Sequence, residues 1–199
     1  MLIRILGFSD RAAPVPYSRD ILARPPPQPN PYVRRFEIDA SPWGGGGILV
    51  EHGVPTRCFA CEWDQALLRQ IGKGDVFKGF CGSQTFFETL VLIMAVELWG
   101  VATLPTVILG DNVAALQEAL DLKGKGTQAP LAQCLAVLLV SRSLPAGGFV
   151  VGHLPSEASE AADALSRQFE PGNRKPWPYG PEVCRDTPVD IPTILALIQ

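Results

Sequence analysis

Four acids stand where apolar surroundings would make a charge expensive. Asp39 closes the alternating segment Tyr32–Asp39, just before Ala40-Ser41. Glu88 falls in the first turns of an otherwise apolar segment, Ser83–Trp99. Asp111 follows the apolar run Thr106–Leu109, and Asp163 lies in Ala161-Ala162-Asp163-Ala164-Leu165. A buried carboxylate is costly unless it is paired or binds a metal. Hard oxygen donors gathered at one place suit Mg²⁺ or Mn²⁺. Each acid taken singly also has a simpler reading. Asp111 could cap the helix opening at Asn112, Glu88 could favour a helix N-terminus, Asp39 could be a turn residue, and Asp163 a partly exposed helix acid.

The elements that must position these acids follow from periodicity. Tyr32–Asp39 places Phe36 and Ile38 on one face and Glu37 and Asp39 on the other, as a strand does. Ile48–Val50 and Arg57–Glu62 read as two further strands, with Gly44–Gly47 as a turn or bulge before them. Asp64–Ile71 reads as a short helix and Gly72–Gly82 as a loop. Ser83–Trp99 is apolar nearly all round, which predicts a buried central helix capped by Ser83. Then come a strand at Pro105–Leu109, helices at Asn112–Leu122 and Pro130–Ser143, a strand at Phe149–His153, and a helix at Ser156–Gln168. The order predicts an α/β fold: a mixed five-stranded sheet, first antiparallel and then parallel, with helices on both faces.

Composition sets the frame. The chain has 199 residues, 47% of them hydrophobic, with net charge −3. That suits one domain with a real core and excludes wholesale disorder. Prolines cluster at the ends, with seven in residues 1–35 and six in 171–199. Residues 1–31 read as a Pro/Arg-rich arm or linker, 32–170 as the compact domain, and 171–199 as a Pro-rich tail. Residues 1–35 carry a charge of +4 and residues 36–170 a charge of −7. An acidic core makes a poor autonomous nucleic-acid binder, because neutralised phosphates supply that affinity. Five sparse cysteines point to reduced thiols and an intracellular setting, cytoplasmic or nuclear. No apolar run exceeds the length of Leu90–Val96, which is too short to span a membrane, and Arg4 and Asp10 interrupt the apolar start expected of a signal peptide. Cys58 and Cys61 stand three apart on a strand and so face opposite ways, which argues against a shared zinc. Gly44–Gly47 lacks the Lys-Ser/Thr of a phosphate loop.

Read together, the local words become specific. Phe36-Glu37-Ile38-Asp39-Ala40-Ser41-Pro42-Trp43-Gly44 resembles the first strand of the ribonuclease H domain that follows reverse transcriptase in retroelements. Gln84-Thr85-Phe86-Phe87-Glu88-Thr89-Leu90 is similar to that family's helix with the second acid, and Val107–Leu116 to its third motif. Val151-Gly152-His153-Leu154-Pro155, with Ala161–Arg167, is similar to its C-terminal motif. The resemblance covers residues 36–169, and the four acids fall in the family's order. It departs at Ser156 and Ser159, where retroelement members commonly carry Gly and Asn. The basic helical handle of many cellular members is also missing, since only Lys123, Lys125 and Arg142 lie between Asp111 and His153.

The resemblance implies hydrolysis of the RNA strand of an RNA–DNA hybrid with two Mg²⁺ ions, or Mn²⁺, leaving 5′-phosphate and 3′-hydroxyl ends. Two cations about 4 Å apart stabilise both oxygens of an in-line displacement. Asp39 would bridge them. Asp163 would help hold the ion on the nucleophile side, and Glu88 and Asp111 the ion on the leaving-group side. Glu88 could accept a bond from a ribose 2′-hydroxyl. His153 would assist proton transfer or product departure. Ser41 and Asn112 are the candidate substrate-binding positions. The partner implied is a reverse transcriptase polymerase domain, in cis or in trans, because Tyr17, Tyr32 and Tyr179 are not followed by paired aspartates. The alternative of another class is a catalytically silent scaffold or interaction module on the same fold. A transposase or integrase would place its decisive Glu last, whereas here the last acid is Asp163.

Overall fold

The computed structural model describes residues 34–63, 65–70, 83–100, 106–121, 129–142, 149–172, 175–180 and 183–185. The arm at 1–31, the Gly72–Gly82 loop and the Lys123–Gly126 loop lie outside these residues. The sheet is built from β1 (Arg34–Ala40), β2 (Gly44–Glu51), β3 (Val54–Glu62), β4 (Thr106–Gly110), β5 (Phe149–His153) and the two-residue β6 (Cys184–Arg185). Its strand order is β5-β4-β1-β2-β3-β6. β1, β2 and β3 form an antiparallel meander, while β4 joins β1, and β5 joins β4, in parallel. This is the expected α/β mixed sheet, antiparallel and then parallel. A short sixth strand is added, because Cys184 and Arg185 pair in parallel with Arg57 and Cys58 of β3.

The helices are α1 (Gln65–Gln70), α2 (Gln84–Trp99), α3 (Val113–Asp121), α4 (Ala129–Arg142) and α5 (Glu160–Ser166), the last preceded by a 3₁₀ turn at Ser156–Ala158. α2 is the hub. Its buried side chains run without a break from Phe86 to Val96. They join Phe36, Ile38 and Ala40 of β1 with Leu131, Leu135 and Leu139 of α4 in the main core. A smaller cluster on the α5 side holds Ile48, Val50, Cys58, Ala161, Leu165 and Val183, with Trp177 packed against it. So the stretch read as a tail supplies Trp177, Val183 and β6 to the domain. Cys58 belongs to the α5-side cluster and Cys61 to the main core, on opposite faces as strand geometry requires.

Gly44–Gly47 corrects the sequence expectation. These residues are the first half of β2, not a turn, because both faces of the strand are approached too closely for any side chain. A Cβ at Gly45 would lie 2.2 Å from Val91 Cγ2 of α2, and one at Gly46 would lie 2.4 Å from Leu165 Cβ of α5. The glycines let helices from opposite faces press onto the sheet beside Asp39. The turn leading out of β1 is pinned as well. Trp63 Nε1 donates to the Ser41 carbonyl at 2.9 Å, and the Trp63 ring stacks on Phe87 with centroids 5.0 Å apart.

Candidate metal centre

β1 and β4 are neighbouring parallel strands, so their C-terminal ends reach the same edge of the sheet, where ligands gather in α/β folds. Asp39 sits at the end of β1 and Asp111 immediately follows β4. Glu88 arrives from the second turn of α2, on the opposite face from α5. One ligand oxygen from each of Asp39, Glu88 and Asp111 lies within 4.8 Å of the others. This is a carboxylate group that can hold a metal ion, with Asp39 and Glu88 buried and Asp111 half-buried.

The bonds around these acids are neutral. Ser166 Oγ donates to Asp39 Oδ2. Gln84 Nε2 donates both to the Ala40 carbonyl and, at 3.0 Å, to Glu88 Oε1. The Ala40 N–H donates to the same Glu88 oxygen at 3.2 Å. Ser156 Oγ donates to Asp111 Oδ2 at 2.6 Å. No cation pairs with these three acids among the described residues. Burial therefore pushes the Asp39 carboxyl up to about 7; the Ser166 hydroxyl opposes the rise, and Asp111 and Asp163 add to it. Glu88 is raised well above the ordinary range, first by burial and then by Asp39 and Asp111. Such a group favours a proton or a cation over an empty carboxylate cluster.

Asp163 is arranged differently. It lines the same cleft as Asp39 and Asp111, a space of about 470 Å³ that Trp43, Gln84, Ser156 and Arg167 also border. Each of its oxygens is paired with a cation. Arg167 Nε reaches Oδ1 at 2.6 Å, and Lys175 Nζ reaches Oδ2. Asp163 stands outside the close group formed by the other three acids.

The remaining candidates occupy other places. His153 is half-buried at the end of β5, in register with Gly110 at the end of β4, and is not among the residues bordering the cleft. Asn112 Oδ1 accepts the Ala115 N–H at 3.0 Å and so caps α3, which leaves Asp111 free of the capping role. Ser41 borders the cleft, but its hydroxyl organises the turn: it donates to the Ser166 carbonyl at 2.7 Å and accepts the Trp43 and Gly44 N–H groups. Trp43 is half-buried and borders the cleft. Ser83 makes no side-chain cap to α2.

Sequence reasoning missed Gln84, Ser156, Ser166 and Lys175. Gln84 carried a signal, since it lies four residues before Glu88 and so shares its helix face. No protein-family model matches this chain, and no curated protein sequence does.

Proposed function

We propose that this chain is a metal-dependent ribonuclease H, the ribonuclease H part of a retroelement reverse transcriptase, acting on the RNA strand of RNA–DNA hybrids. One observation carries the reading: Asp39, Glu88 and Asp111 meet within 4.8 Å from three separate elements. Those elements are the strand, helix and strand end on which the resemblance puts its first three acids. The donor set is all carboxylate oxygen, which suits Mg²⁺ or Mn²⁺, and the resemblance implies two such ions. When bound, such ions would activate water and neutralise charge at a phosphodiester.

The chain's own residues supply the rest. Asp39 is the shared member of the group: Asp111 and Asp163 both raise its carboxyl, and it raises that of Glu88. That position suits a bridging ligand. Gln84 and the Ala40 N–H both bind Glu88 Oε1, which fixes the carboxylate and leaves Oε2 outside this pair of bonds. Ser156 orients Asp111. His153, beside the end of β4, would carry a proton to or from the leaving group. Trp43 and Arg167 border the cleft where a nucleotide would lie. With its acidic core, the chain would rely on a polymerase domain or the Arg-rich arm to hold the hybrid.

Cleavage of a labelled RNA–DNA hybrid by the full chain at low salt, with Mg²⁺ or Mn²⁺, tests the reading. The result expected is cutting of the RNA strand alone, lost on chelation and in Asp39→Asn and Asp111→Asn. A second reading, the silent scaffold, draws on the two cations that already occupy Asp163. It is favoured if the folded chain binds no divalent ion and cuts no hybrid when the polymerase portion is added.

A further inference from the structure

The four acids of the cleft divide into two electrostatic classes. Among the described residues, Asp39, Glu88 and Asp111 share a space without a paired cation, whereas Asp163 has one cation on each oxygen. The two cations reach Asp163 by different routes. Arg167 lies one turn further along the chain from it, with its guanidinium also on Glu170 Oε2 at 3.4 Å. Lys175 comes from the segment that continues to Trp177, which packs on the α5-side cluster. Both basic side chains are partly solvent-exposed, at 35% and 47%, while the Asp163 side chain they cover is 6% exposed. They can therefore leave the carboxylate by rotating outward, and while they stay an incoming cation meets a like charge at each oxygen of Asp163.

We propose that Arg167 and Lys175 are a gate on Asp163 that makes occupation of the cleft by divalent ions stepwise. This rests on the metal-dependent reading above. The first ion goes to Asp39, Glu88 and Asp111, where no ion pair has to be broken. The second, at Asp163, meets the charges of Arg167 and Lys175 and binds fully only as they move away, so its affinity is lower. A phosphodiester entering the cleft gives the released guanidinium and ammonium a new anion. Substrate and second ion then promote each other's binding, as linkage requires. Arg167 and Lys175 are thus positioning residues whose ligand alternates between a carboxylate and a backbone phosphate.

Mn²⁺ titration of the full chain, read as bound against free ion by electron paramagnetic resonance, tests the gate without turnover. The result expected is two sites in the wild-type chain, with the weaker one lost in Asp163→Asn. Lys175→Met and Arg167→Met should each strengthen the weaker site, together by about tenfold, the scale of two partly exposed ion pairs. The stronger site should move less than the weaker one, with Arg167→Met acting on it through Asp39, and Lys175→Arg should keep the wild-type pattern. A hybrid whose RNA strand is 2′-O-methylated and cannot be cut should tighten the weaker site in the wild-type chain and do so less in the Met variants. A weaker site that neither Met variant moves overturns the gate and leaves the proposed function standing. No bound Mn²⁺ at all overturns both.

Discussion

The hydroxyl of Ser166, at the end of α5, donates to Oδ2 of Asp39, at the end of β1, across 127 positions of sequence. The same hydroxyl also meets the Asp163 carbonyl, at 3.0 Å. Ser166 is fully buried, so the bond operates away from water and favours the ionised form of Asp39. Ser166→Ala removes that support. It should move the Asp39 titration further upward and weaken Mn²⁺ binding at neutral pH. It should also cost about 1 kcal/mol of stability, the ordinary net worth of a buried hydrogen bond. Metal titration and denaturant unfolding of the same variant separate the two effects.

Stability without metal should fall as pH rises. Asp39 titrates near 7 in the fold, against 3.8 as its ordinary value. Between those values the folded chain binds more protons than the unfolded chain, so stability declines with pH. The contribution is fully present below pH 4 and lost as pH passes 7. For Asp39 alone it is on the order of 2–4 kcal/mol. Unfolding midpoints measured from pH 5 to 8 in a chelator should drop for the wild-type chain and drop less for Asp39→Asn. Added Mn²⁺ should restore the wild-type midpoint most strongly at pH 8, above the Asp39 value, where the proton competes less for that carboxylate.

The glycine run beside the site should tolerate no side chain. Gly45→Ala would drive a methyl into Val91 Cγ2 and the Trp63 ring, and Gly46→Ala would drive one into Leu165 and the Ala162 carbonyl. Overpacking of this kind costs about 1–3 kcal/mol. Denaturant unfolding should show the loss in both variants. Gly45→Ala should recover part of it when Val91→Ala is added, because the obstruction there is a side chain.

What was legible in the sequence follows from what a side-chain pattern can record. Alternation marked β1, because Phe36 and Ile38 face α2 while Glu37 and Asp39 face α5. Unbroken apolarity marked α2, because the sheet and α4 cover it. The order of the four acids was legible because each stands next to an apolar word. Gly44–Gly47 was not, because glycine leaves no periodic mark and its strand is imposed by Val91 and Leu165 from outside. β6 has two residues, too few to show a period. The covering of Asp163 by Lys175 depends on the path of the chain after α5, which Pro171 and Gly172 interrupt and no local pattern describes. Asn112, not Asp111, caps α3, a choice between adjacent good caps that only geometry decides.

Gln84 links the end of β1, where Asp39 sits, to Glu88 on α2. Its amide donates to the Ala40 carbonyl, which follows Asp39 directly, and to Glu88 Oε1 on its own helix. That bond is one of two that favour the ionised form of Glu88, against burial and the charges of Asp39 and Asp111. Gln84→Ala should therefore let the Glu88 carboxyl rise further, so that a proton competes with a cation to higher pH. Mn²⁺ affinity measured from pH 6 to 8.5 should show a curve displaced to higher pH. Gln84→Glu adds a like charge at the same place, repels Glu88 and leaves the Ala40 carbonyl without its donor. Its Mn²⁺ affinity at pH 7 should change in proportion to how far the added carboxylate joins the ligand set. Equal pH curves for Gln84→Ala and the wild type would show that the Ala40 N–H alone sets the Glu88 carboxylate.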